Sequence, residues 1–88
     1  MPDWASNVVV HKHFWVSYDF RYAFGAASAS PSKQWSKVDK RAKNALLTGL
    51  KIGTKINNIE IYHRWTDPNT GERYALARMP INLSPREQ

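Results

Sequence analysis

The apolar positions of this chain change period twice, and that constrains the fold more than any other feature. From Phe14 onward the even positions read Phe14, Val16, Tyr18, Phe20, Tyr22 and Phe24, a period of two rich in aromatic and β-branched residues. Such a run predicts one half-buried strand, or two strands broken near Ser17 to Asp19, with Gly25 and the small residues AASAS ending the pattern. From Trp35 the spacing becomes helical. Trp35, Val38, Ala42, Ala45, Leu46 and Leu50 fall on one face of a 3.6-residue period, and the remaining faces are basic. Ser30 before Pro31 supplies a helix start, because Ser can cap an orphan N–H and proline needs no donor at the first helical position. The helix is therefore predicted over about residues 31–51, with Gly49 and Gly53 at its exit.

The period of two returns with Ile56, Ile59, Ile61 and Trp65. The segment DPNTG then supplies a preset φ, a side-chain turn bond and a permissive glycine, so Trp65 to Tyr74 reads as a hairpin connection into a strand from Arg73 to Met79. Pro80 and Pro85 close that strand, and the polar tail 81–88 is expected to be mobile. An extra strand or short segment is expected near Val8 to Val10.

These elements predict a single α+β domain over residues 1–80. It is a two-layer sandwich with one long helix on a small, mainly antiparallel sheet, in the order strand, helix, strand, strand. The second sheet face and the bare strand edges would remain open to partners. A chain of 88 residues with this composition buries roughly 64% of its unfolded surface, enough for one core.

Composition narrows the chemistry. The chain has no cysteine, which excludes a disulfide framework, a thiolate metal site and a cysteine nucleophile. No stretch approaches the roughly 20 apolar residues of a membrane-spanning helix, and MPDWASN has the features of no secretory leader. His11 and His13 would share one side of a strand, with His63 as a third ligand from another, but that spacing is common and no metal site is assigned. Asp39 and Glu60 would have to meet across the sandwich to act as an acid and base pair. Ion pairing with neighbouring cations on the helix surface explains Asp39, and Glu60 falls in the polar phase of its strand. No phosphate loop, Ser–His–acid set or zinc-protease motif occurs. The reading is a non-enzyme without cofactors.

Thirteen Lys and Arg against seven Asp and Glu give a net charge of +6. Lys33, Lys37, Lys40, Arg41 and Lys43 put a basic stripe on the helix. It could track the phosphates of a nucleic acid or an anionic lipid surface, or be the solvated side of an amphipathic helix. Of the four tryptophans, Trp35 and Trp65 fit core positions. Trp4 and Trp15, with Tyr18, are candidates for an interaction surface.

Three segments in order carry a resemblance. They are the opening Pro2-Asp3-Trp4, the passage YAFGAASAS from Tyr22 to Ser30 with Ala42 and Ala45 in the helix, and the closing RWTDPNTGERYALARM from Arg64 to Met79. Together they resemble the LPP-twenty lipoprotein family, bacterial envelope proteins that include flagellum-associated outer-membrane lipoproteins. That family opens its mature domain with a similar PDW, runs a strand into an Ala-rich helix, and closes on a W-x-D-x-x-T-G-x-x-Y-A-L-A hairpin. The resemblance implies a structural role in the envelope or a surface appendage, with self-association and envelope or flagellar proteins as partners, and no catalytic residue. The sequence departs from it in lacking a signal peptide and a lipid-attachment cysteine. The expected location is the periplasm or the periphery of the outer membrane if a leader has been removed, and the cytoplasm if the sequence is complete.

Overall fold

The structure, a computed structural model, describes residues 1–11, 14–17, 22–29, 34–50 and 59–81. The elements are α1 (Asp3–His11), β1 (Phe14–Val16), β2 (Tyr22–Ala29), α2 (Trp35–Leu50), β3 (Glu60–Thr66) and β4 (Arg73–Pro80). The strands form one antiparallel four-stranded sheet in the order β1-β2-β4-β3. The α+β class and antiparallel sheet agree with the sequence reading, but there are two helices instead of one, and the chain order is helix, strand, strand, helix, strand, strand instead of strand, helix, strand, strand.

The extra element is α1, where the three valines read as a strand. Its first turn closes with the Ser6 N–H donating to the Pro2 carbonyl at 3.0 Å, and Asp3 sits where a helix N-terminus favours negative charge. Ala5 and Val8 are buried, so the helix is held by the sheet beneath it and not by local propensity. The second sheet face, expected to be open, is therefore partly covered.

The aromatic run from Phe14 to Phe24 splits into β1 and β2, and the pairing register matters more than the split. Phe14 faces Gly25, Trp15 faces Phe24 and Val16 faces Ala23. Even residues of β1 thus share a sheet face with odd residues of β2, so Phe14 turns toward α2 while Trp15 joins Phe24 on the other side. Nor does Gly25 end the strand, since β2 continues through AASA to Ala29.

The core lies between α2 and one sheet face. Val38, Ala42 and Leu46 pack on Ala23, Ala75, Ala77 and Met79. The floor is made of small residues, which lets the helix approach closely. A β-carbon on Gly25 would sit 2.6 Å from the Leu46 Cα. Gly49 similarly leaves room for the Phe14 ring, which a β-carbon there would strike. Helix α2 begins at Trp35, four residues after Pro31. The Ser30–Pro31 start, Gly53, Ile56 and the tail 82–88 lie outside the described residues.

The β3–β4 hairpin follows the turn chemistry of its sequence. Asp67 Oδ1 accepts from the backbone N–H of Asn69 at 2.8 Å and of Thr70 at 3.4 Å. Gly71 N–H donates to the Asp67 carbonyl at 2.8 Å with φ +79°, a conformation costly for any residue with a β-carbon.

Candidate interaction face

The sheet face turned away from α2 is where the candidate interaction side chains Trp4 and Trp15 gather with other aromatic rings. A β-bulge between Ile61 and His63 shifts the register of β3, so Ile61 pairs with Ala77 and Glu60 with Arg78. Ile61 packs on the α2 side, whereas Trp65 packs on the other. The two do not share one apolar strand phase, and Tyr62 and His63 both end up on the face away from α2.

One half of that face is the seat of α1. Val8 packs there with Ala26, Tyr74 and Leu76, and Trp4 and Trp65 lie against the same cluster. The Trp4 ring stacks on His63 at 6.4 Å with 10° between planes, and Trp65 meets Tyr74 at 5.4 Å. The Tyr74 hydroxyl donates to Glu72 at 2.8 Å. Burial, reinforced by this bond, pushes the Tyr74 hydroxyl up to about 12.

The other half carries a cluster of aromatic rings, of which Trp15 and Phe24 also lie against the Val8 cluster while Tyr62 stands exposed. Trp15 and Phe24 stack at 5.8 Å and 23°, Phe24 meets Tyr62 at 6.0 Å, and Tyr22 meets Phe24 at 6.4 Å. The Arg78 guanidinium lies 4.0 Å from the Tyr62 ring centre and 5.2 Å from that of Tyr22. Its Nε–H donates to Glu60 at 2.6 Å, and this bond raises the Arg78 pKa further above its ordinary value. Tyr62 is 44% exposed. The rings are turned largely toward one another and toward Arg78, so the surface offers ring edges and an ion pair more than flat faces for stacking bases or sugars.

Of the residues singled out from sequence, Trp4 and Trp15 both belong to this face, half-buried, and Tyr18 lies outside the described residues. Tyr22, Phe24, Tyr62 and Arg78 were not singled out, and Glu60 was considered only as half of an acid and base pair. Their common signal is the hairpin register, legible only once the bulge is known.

The basic stripe lies elsewhere. Lys37, Lys40 and Arg41 are exposed on α2 and Lys43 is half-buried there, while Lys33 lies outside the described residues. Arg41 donates to the Ser28 carbonyl at 3.2 Å. Because α2 covers the opposite sheet face, these cations and the aromatic rings lie on opposite sides of the sandwich.

Asp39 does not pair with its helix neighbours. It takes a two-pronged contact from Arg64 of β3, at 3.2 Å to Oδ1 and 2.5 Å to Oδ2, and this bonding raises the Arg64 pKa. Arg64 and Arg73 also lie over the Trp35 ring, at 5.3 and 5.2 Å. Asp39 and Glu60 thus belong to separate ion pairs on opposite sheet faces and cannot share a proton-transfer site. His11 ends a helix instead of lying on a strand, and His13 lies outside the described residues. Among the described residues no three His, Asp or Glu side chains are grouped to hold a metal, and no helix is long and apolar enough to cross a membrane.

No protein-family model, curated protein or solved structure matches the chain.

Proposed function

We propose that this chain is a non-catalytic structural or assembly module of the bacterial cell envelope, in the manner of the LPP-twenty lipoproteins it resembles, acting through self-association and contact with other envelope or flagellar proteins. The observation that carries the reading is the partly exposed aromatic half of the sheet, with Tyr62 exposed on the edge strand β3. The segments behind the resemblance supply Trp4, Tyr22, Phe24 and Arg78 of this face, while Trp15 and Tyr62 lie outside them.

Strand edges add a second contact. The β3 edge is guarded by a bulge and by Glu60, His63 and Arg64, the devices that discourage pairing. Among the described residues the β1 edge carries the apolar Phe14, Trp15 and Val16.

Light scattering of the purified chain across concentration, at low and moderate salt and with random-sequence RNA and DNA, tests this reading. Self-association that survives salt and ignores nucleic acid is expected, weakened by Tyr62→Ser and unchanged by Lys37→Glu with Lys40→Glu. A monomer that shifts only with nucleic acid, and loses the shift as salt rises, would replace it with phosphate binding by Lys37, Lys40 and Arg41.

A further inference from the structure

We propose that the cleft between α1 and the sheet binds a small amphipathic amine, an apolar body ending in one ammonium group. This goes beyond the assembly reading and does not depend on it.

The cleft has a volume of ≈ 480 Å³, within the roughly 300–1,000 Å³ of small-molecule sites. Val8 and Val9 line it from the helix, and Ala26, Ser28, Glu72 and Tyr74 from the sheet. Val8 and Ala26 are buried while Val9 is 53% exposed, so a hydrocarbon laid along this wall would cover apolar surface that now faces water. Register brings the polar groups together. Ser28 lies directly opposite Tyr74 across β2 and β4, and the Tyr74 hydroxyl donates to Glu72 Oε1 at 2.8 Å.

That bond holds the carboxylate in place. Tyr74 is only 3% exposed, which makes its hydroxyl a fixed anchor for Glu72 at the cleft. Among the described residues no cation pairs with Glu72. The charges that act on the Tyr74 hydroxyl are those of Glu72 and Asp67, both negative. Arg41, which holds the Ser28 carbonyl at 3.2 Å, belongs to α2 on the opposite sheet face. In a chain of net charge +6, this cleft therefore joins an apolar wall to a negative end. A ligand with both matching characters fits it. An ammonium brings three donors, for which Glu72 and the Ser28 hydroxyl are the acceptors, and its hydrocarbon lies along Val8, Val9 and Ala26. A neutral alcohol satisfies only the wall, and a carboxylate of the same shape is repelled by Glu72.

Amide NMR of the purified chain, titrated with hexylamine, hexanol and hexanoate at neutral pH, tests the site. Hexylammonium is expected to shift the amides of Val8, Val9, Ser28 and Glu72, hexanol to shift them with weaker affinity, and hexanoate to leave them in place. Glu72→Gln is expected to weaken hexylammonium about tenfold, the scale of one charge-assisted hydrogen bond, without changing hexanol. Val9→Lys, at an exposed position, sets an ammonium of the chain's own at the cleft and is expected to block the amine. Equal affinity for hexylamine and hexanol, unchanged affinity in Glu72→Gln, full binding by Val9→Lys, or no shift at those amides with any of the three compounds overturns the proposal. Light scattering of the same samples reads self-association separately, so failure of the amine site and failure of the assembly reading are told apart.

Discussion

The Arg78 guanidinium lies 4.0 Å from the centre of the Tyr62 ring while its Nε–H holds the Glu60 carboxylate at 2.6 Å. One cation thereby ties the edge strand β3 to the central strand β4 beside the exposed Tyr62 ring. Replacing Arg78 with Lys keeps the charge but loses the planar stack and the directed bond. Arg78→Lys is expected to lower stability slightly, as the loss of an exposed cation–π contact does, and to weaken self-association. Urea denaturation and light scattering read the two effects separately.

Gly25→Ala is expected to be among the most damaging single changes in the chain. The added methyl meets the Leu46 backbone, which cannot swing aside as a side chain would. A loss of about 1–3 kcal/mol is expected, the usual range for overpacking. Thermal unfolding checks it, and a fully neutral result would mean that α2 sits farther from β2 than described.

Gly71→Ala acts through the backbone alone. No atom lies within 4 Å of the position its β-carbon would take, so the cost comes only from φ +79° and is expected to be about 1 kcal/mol. A comparable loss is expected from Asp67→Ala, which removes the acceptor for the Asn69 N–H.

Tyr74 gives a pH dependence at the alkaline end. Its hydroxyl ionises at about 12 in the folded chain against an ordinary 10.0. Between those values the unfolded chain gives up this proton and the folded chain keeps it, so stability falls as pH rises through the interval. Unfolding curves of the parent chain and Tyr74→Phe are expected to diverge in shape above pH 10, the substituted chain lacking this component of the decline. Tyrosinate absorbance provides the direct titration.

Much of the architecture is legible in the residues because periodicity and turn chemistry agree locally. The helical spacing from Trp35 to Leu50 and the turn DPNTG each specify their element without help from elsewhere. What escaped depends on distant pairing. The Val8 to Val10 run reads as a strand until the seat made by Ala26, Tyr74 and Leu76 is in place. The aromatic phase from Phe14 to Phe24 reverses across the β1–β2 register, and the bulge at Tyr62 reverses it again in β3. The face was misread for the same reason. Trp15 lies out of phase in sequence with Phe24 yet stacks on it, and Arg78 meets Tyr62 only because two strands sixteen positions apart are offset by one residue.

The floor beneath α2 is alanine, glycine and a single methionine, with Leu46 and Val38 the largest fully buried side chains above it. Such a floor divides the sheet's freedom to diverge. At odd positions of β2 and β4 any gain in bulk wedges the helix upward, so descendants of this chain can drift there only among the smallest residues. At the even positions outside the α1 seat, such as Tyr22 and Phe24, a ring can give way to another ring or to an aliphatic side chain without disturbing α2. One lineage could thus keep an unchanging interior while its outward surface is rewritten, generation by generation, to suit different neighbours.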